Sequence, residues 1–416
     1  MAILVPPEHD LPILRITVGT AAQTRSEAIF QALRLGGEPN EIARCPLREL
    51  GLPLAAGQLQ QTPEQAFRVP ENVFELIKSA AGKLGPAPLP PQEALWLELY
   101  SPRGYLYVLP WERMLAPLGR PLLRRPQHAL RPAASESALS VALCASAPVP
   151  VLQQLCRIWH ERSGRRVKIH VFTDVSSGAR MREWAAGDGW LVVPDPPPDG
   201  ANPWLPWIRD AVQGSALDVV HFVGHGYLNR DRGAIALAGT SSRYIGAPEM
   251  TSFLSRAGAW CLVLTGAGES HRGNHCPAGL RELADAVSLA GPFVTAAHEM
   301  AIDGADLEQL GNAVATMMGR VPERLDPMPA VTCWVHPRHI TSSFIDASTH
   351  VVLERADTPA WVASATRTVE ALQAKWLPRD PGAAMDPDAM AALESISSLV
   401  GEHVSRTRQD LERSGS

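Results

Sequence analysis

Lysine is almost missing from this 416-residue chain. It stands only at positions 78, 83, 168 and 375, and arginine carries nearly all the positive charge. Charged residues make up 19%, below the roughly 25% of an average globular protein, which excludes a charged coil or a solvated tail. The net charge is −5 and the pI near 6.2, so the basic surplus of a general nucleic-acid binder is absent. No apolar run approaches the roughly 18 residues of a bilayer span. Met1-Ala2-Ile3-Leu4-Val5-Pro6-Pro7 has no basic leader and is broken by prolines, so neither a membrane segment nor a signal peptide is expected. The six cysteines (Cys45, Cys144, Cys156, Cys261, Cys276, Cys333) form no CxxC pair and no secreted framework. Reduced thiols in a cytoplasmic protein are the expectation.

What the chain does have is apolar material, 45% of its residues, enough for two or three cores at roughly 100–200 residues each. Residues 1–90 read as an N-terminal α+β region, with a strand at Ile13–Val18 and helices near Ser26–Leu35 and Val73–Ala81. The proline-rich stretch from Pro86 to Pro91 interrupts the chain. Residues 91–137 open with Leu95–Tyr100 and Gly104–Val108, two short runs that read as a hairpin. From 138 to 345 strands and helices alternate: apolar strands at Ala138–Cys144, Val167–Phe172, Asp218–Val223, Trp260–Leu264, Pro292–Ala297 and Ala330–Val335. Helices are expected at Val151–Arg162, Trp204–Val212, Gly279–Leu289 and Asp306–Met317. That alternation predicts a three-layer α/β domain with a mostly parallel sheet, whose site lies beyond the carboxyl ends of its strands. Residues 346–416 read as a helical tail.

Two strand ends carry the chemistry. In His221-Phe222-Val223-Gly224-His225-Gly226 a strand is expected to enter a turn, with Gly224 and Gly226 allowing close approach and positive φ. His225 is then presented at the sheet edge, where an imidazole serves as a general base. A histidine that only caps a strand is the plain alternative; the paired glycines and the location favour the functional reading. The second strand end is Leu262-Val263-Leu264-Thr265-Gly266-Ala267-Gly268-Glu269-Ser270. No Gly-Lys-Ser/Thr follows, so a phosphate loop is not expected, and no GxSxG elbow is present. The nearby His271, His275 and Cys276 lie among Gly273 and Pro277, which disfavour the helix that His-x3-His ligation needs, so a polar loop without metal is expected. No cofactor is implied.

Together these segments resemble the CHAT family, caspase-like peptidases related to separases. Its members carry a strand ending in H-F-x-G-H-G and, some dozens of residues on, a strand ending in A-C-E-S. The first motif is complete here and places His225 at the catalytic histidine; the second matches at Ala267, Glu269 and Ser270. Further matches are Leu109-Pro110-Trp111-Glu112-Arg113, Pro121-Leu122-Leu123-Arg124, Gly233–Leu237 and Gly279-Leu280-Arg281-Glu282-Leu283-Ala284. The resemblance spans about residues 95–340 and implies a caspase-like fold, with backbone N–H groups near Gly224 and Gly226 as oxyanion donors. It also implies a groove for basic side chains, lined by Asp303 at the family's acidic position and by Glu299 where the family has an aromatic. An exposed loop carboxylate is the plain alternative for Asp303.

The chain departs from the family at one place: the nucleophilic cysteine falls on Gly268, which has no side chain to form an acyl-enzyme. Cys276 could replace it only if its loop folds back. The leading expectation is a pseudo-protease that binds a peptide or protein partner, with a hetero-complex through the N-terminal region or the C-terminal helices. Bacterial members resemble components of conflict and defence systems, which implies such a setting. The alternative is an active cysteine endopeptidase seen as a Cys-to-Gly variant.

Overall fold

The computed structural model describes residues 11–20, 26–53, 58–59, 62–87, 91–128, 138–145, 147–196, 204–213, 215–237, 244–266, 276–301, 304–320, 324–337 and 340. Gly268, Asp303, the 267–275 loop and the expected helical tail lie outside the described residues.

The chain opens with strands β1 (Pro12–Thr20), β2 (Ser26–Arg34) and β3 (Asn40–Pro46), followed by helix α1 (Glu71–Leu84). Strand β4 (Leu95–Leu99), the short helix α2 (Trp111–Met114) and β5 (Leu122–Arg124) come next. The alternating part runs β6 (Leu139–Ala145), α3 (Val149–Arg162), β7 (Val167–Phe172), α4 (Val175–Trp184), β8 (Leu191–Val192) and α5 (Trp204–Ala211). It continues with β9 (Val219–Asn229), β10 (Arg232–Ala236), β11 (Tyr244–Gly246), α6 (Ala247–Ala257) and β12 (Cys261–Gly266). It closes with α7 (Pro277–Ala290), β13 (Val294–Glu299), α8 (Leu307–Met317) and β14 (Val331–Trp334).

These strands join one 14-stranded sheet in the order β3-β2-β1-β4-β5-β14-β13-β12-β9-β6-β7-β8, with β10 and β11 branching from β9 as a ribbon. Pairing is parallel from β13 through β12, β9, β6 and β7 to β8, and again from β1 through β4 and β5 to β14. The sheet therefore runs without a break across the expected boundary at residue 90.

Successive side chains point to opposite faces of a strand, and both faces here are apolar and covered. On one face Val141, Leu143, Val219, Val263 and Ala296 pack with Leu152, Leu155 and Trp159 of α3 and Leu310 and Val314 of α8. On the other, Ala142, Cys144, Val220, Phe222, Leu262 and Leu264 meet Trp207 and Ile208 of α5, Leu254 of α6, and Leu283 and Val287 of α7. A third cluster seats α1, through Val73 and Ile77, on Leu14, Ile16 and Phe30 and reaches Trp111. Each such large side chain contributes about 1.5–3 kcal/mol when removed from water. The expected α/β architecture with a mostly parallel sheet is present, with helices on both faces.

Three local expectations are corrected. Ser26–Arg34 is a strand, not a helix: it pairs antiparallel with β1 along its whole length and buries Ala28, Phe30 and Ala32 in alternation. The hairpin at 95–108 does not form. Strand β4 pairs in parallel with β1 and β5 instead, and Leu106–Val108 is a single 3-10 turn. The third correction concerns β9, which continues without a turn through Gly224-His225-Gly226 to Asn229 and pairs from His225 onward with β10.

Candidate functional site

Strands β9 and β12 are parallel neighbours, with Gly224 opposite Gly266; across the next pairing Gly266 is opposite Glu299 of β13. Three strands thus reach one level of the carboxyl rim together. Half-buried His225 follows Gly224 directly, and the 267–270 segment leaves β12 one residue after Gly266. His225 therefore continues β9 just past its last pairing with β12, and β12 ends at that same edge, where open α/β sheets bind ligands.

The motif glycines serve close packing rather than turn geometry, because neither Gly224 nor Gly226 has positive φ. A Cβ on Gly226 would lie 2.6 Å from the Cys276 carbonyl oxygen and 2.8 Å from Leu280 Cγ. One on Gly224 would run into the Ala236 carbonyl. Beyond Gly224 the strand bends out of the main sheet into the ribbon, where His225 is paired with Ala236 and Gly226 with Ile235. Small residues let β10 and α7 close onto this bend from two sides.

Glu299 is engaged within the protein. One carboxylate oxygen pairs with Arg281 and the other with Arg113. Arg281 is fully buried and also donates two hydrogen bonds to Glu64, at 2.8 and 3.0 Å, and one to the Val108 carbonyl at 2.7 Å. Arg113 stands 3.6 Å from Glu64 as well. Burial pushes the Arg113 guanidinium down from its ordinary range, and Glu64 opposes that shift. Two cations and two anions balance under the rim, so a basic side chain approaching Glu299 competes with two guanidiniums already in place. Glu64 went unnoticed in the sequence because nothing local marks it.

The remaining matched segments form the frame around this rim. Trp111 Nε1 donates to the Leu106 carbonyl at 2.7 Å, and Arg124 grips Glu112 with two bonds of 2.8 and 3.0 Å. Thr332 Oγ1 donates to the same Glu112 at 2.9 Å, tying β14 in. The Leu109–Arg113 and Pro121–Arg124 segments are therefore two halves of one buried ion pair. Gly279 lets α7 approach the Tyr227 backbone, and Glu282 accepts from the Gly233 N–H of β10.

A buried polar line crosses the same strands one position below the rim. Trp159 Nε1 lies 3.0 Å from His221 Nδ1, and His221 Nε2 lies 2.8 Å from Thr265 Oγ1. Thr265 Oγ1 is 3.3 Å from His298 Nδ1, whose Nε2 faces Asp306 Oδ1 at 3.5 Å. The order Thr265, His298, Asp306 imitates a hydrolase triad, yet Thr265 and His298 are each 0% exposed, so no substrate reaches the hydroxyl. Burial, reinforced by His298, holds His221 neutral and pushes its pKa down to about 3. The sequence places His221 and Thr265 in the two strand ends and Asp306 at a helix start, but it gives none of them this role and passes over His298. Polar residues inside otherwise apolar strands, such as Thr265 and His298, were the available signal.

Cys276 does fold back: its N–H donates to the Gly226 carbonyl at 2.8 Å, next to His225. Its thiol, however, packs with Leu228 and Ala278 in the apolar cluster. Burial pushes that thiol up from the ordinary range, against the pull of Arg281 and the first amides of α7. A buried, protonated thiol is the opposite of an activated nucleophile. Among the described residues no group of His, Cys, Asp and Glu has metal-binding geometry, and no helix is long and apolar enough to cross a membrane. No protein-family model matches the chain, and comparison with curated proteins finds no relative.

Proposed function

We propose that this chain is a CHAT-like, caspase-type protein whose carboxyl rim binds an extended peptide or protein segment without cutting it. The observation that carries this reading is the register of β9 and β12: Gly224 faces Gly266, so His225 follows β9's last pairing with β12 at the edge where β12 ends. In a caspase-type peptidase that edge joins base and nucleophile. Here Gly268 supplies no sulfur and the nearby Cys276 thiol is buried. What remains is a rim with a half-buried imidazole and backbone amides near Gly224 and Gly226, groups that hold a carbonyl or carboxylate without covalent chemistry. Asp303, in the loop after β13, is the group we assign to a basic side chain of the bound segment.

The test is selection of binders from a random peptide library on the full-length protein, followed by titration of the selected peptides. Enrichment of peptides with Arg or Lys is expected, with affinity falling about tenfold in His225→Ala for the loss of one charge-assisted or carbonyl hydrogen bond. Peptides whose affinity is the same for wild type, His225→Ala and Asp303→Ala would place binding away from this rim.

A further inference from the structure

We propose that Trp159, His221, Thr265, His298 and Asp306 form a buried polar chain with a single proton order, which holds the backbone after β13 at Ala301. Its sense is set at one end, because an indole N–H only donates. Trp159 Nε1 lies 3.0 Å from His221 Nδ1, so Nδ1 accepts and the His221 proton sits on Nε2. That Nε2–H donates to Thr265 Oγ1 at 2.8 Å. The hydroxyl hydrogen then goes to His298 Nδ1 at 3.3 Å, leaving the His298 proton on Nε2. Nε2–H faces Asp306 Oδ1 at 3.5 Å, and neither atom has a hydrogen-bond partner among the described residues, so each is the counterpart available to the other.

The other Asp306 oxygen accepts the Ala301 N–H at 2.8 Å. One end of the chain is therefore the indole of α3 and the other holds the backbone that follows β13. Thr265 and His298 are direct partners in the β12–β13 register, one position before Gly266 and Glu299. Trp159, His221, Thr265 and His298 are all fully enclosed, so water does not scramble the order. Asp306 and His298 are thus positioning residues for the wall of the groove. That role rests on reading the rim as a peptide site; the proton order does not.

The discriminating variant is Asp306→Asn. Its amide must turn the NH2 group toward either the Ala301 N–H or the His298 Nε2–H, a donor against a donor in both cases. Reversing the whole chain would relieve the second clash, but then His221 Nδ1–H would meet the Trp159 N–H. Adding Trp159→Phe removes that obstacle. The measurement is long-range 1H–15N NMR of the histidine rings, with hydrogen exchange at the Ala301 amide, all on the full chain.

Wild type should show both His221 and His298 with the proton on Nε2. Asp306→Asn alone should either speed Ala301 exchange about tenfold, where its NH2 faces that amide, or change the His298 Nε2 resonance, where it faces the ring. In the Trp159→Phe, Asp306→Asn double variant both histidines should switch to Nδ1–H and Ala301 protection should return. A wild-type spectrum with either proton on Nδ1 would overturn the proton order without any variant having to fold. Unchanged Ala301 exchange together with an unchanged His298 ring in Asp306→Asn would overturn the positioning role. Wild-type protein that shows the Nε2–H tautomers yet selects no peptide would remove the groove and leave the chain of hydrogen bonds standing.

Discussion

Glu64 and Arg281 are 217 residues apart in the chain and are joined by two hydrogen bonds, of 2.8 and 3.0 Å, beneath the carboxyl rim. This contact fastens the N-terminal region to α7, and Arg281 passes it on to Glu299 at the end of β13. Removing one partner of a buried pair leaves a charge without compensation. Glu64→Ala should therefore lower unfolding free energy by about 3–5 kcal/mol, read by urea denaturation. Glu64→Leu combined with Arg281→Met exchanges both charges for apolar groups and should cost clearly less than the sum of the single changes. A double variant as damaging as that sum would show that the pair is not the coupling unit.

Gly226 and Gly266 should respond differently to a methyl group. At Gly226 the new Cβ meets the Cys276 carbonyl oxygen at 2.6 Å, a backbone atom that cannot step aside cheaply. At Gly266 the nearest atom is Leu280 Cδ1 at 3.2 Å, the end of a side chain. Gly226→Ala should cost about 1–3 kcal/mol by overpacking, and Gly266→Ala less than about 1 kcal/mol. Thermal melts of the two variants compare them directly, and equal losses would argue against close packing as the reason for the motif glycine.

The dependence of stability on pH has two opposed contributions. Burial pushes the Glu282 carboxyl up to about 7, with Asp285 and Asp231 adding to it and the Gly233 N–H and Arg103 opposing. From about pH 4.5 to 7 the folded chain then keeps a proton that the unfolded chain has released, so this group makes stability fall as pH rises. His170 and His221 act the other way. Burial lowers their pKa values to about 4 and about 3, so between there and about 6.5 the unfolded chain binds the extra protons and stability rises with pH. The difference between wild type and Glu282→Gln isolates the first contribution. Wild type should lose stability relative to Glu282→Gln between pH 5 and 7, as followed by melting temperature. A difference that is flat across that window would mean that Glu282 ionises as an ordinary carboxylate.

Cleavage should be absent in the chain as it stands. With Gly268 at the position we assign to the nucleophile and Cys276 buried and protonated, no peptide turnover sensitive to a thiol alkylator is expected. Gly268→Cys should install cleavage after basic residues, and His225→Ala in that background should reduce it by at least about 100-fold, the usual share of a general base. Alkylator-sensitive turnover in the unaltered chain that disappears in Cys276→Ala would make Cys276 the nucleophile after all.

The alternating part of the fold was legible because strands buried on both faces are written as unbroken apolar runs. Val167–Phe172 is a strand over the same residues that the sequence predicts, and the helix expected over Gly279–Leu289 is present as Pro277–Ala290. Ser26–Arg34 was not legible, since its alanines, Ile29, Phe30 and Leu33 suit a helix as well as a strand and only β1 and β3 decide between them. His225 stands out in the sequence through its flanking glycines, but the reason for those glycines does not. No local pattern announces that Cys276 and Leu280 will occupy the space beside Gly226.

By itself, then, the sequence determined the layers, the two strand ends and the glycine at position 268, because periodicity and residue type are local properties. Tertiary structure alone decided that Glu299 is held by Arg113 and Arg281, that Glu64 reaches the rim, and that Trp159 orients a line of side chains ending at Asp306. Such contacts join residues far apart in the chain, and they exist only once the sheet brings β9, β12 and β13 side by side. Their charges and donors choose partners by distance and desolvation, and neither is written in spacing along the chain.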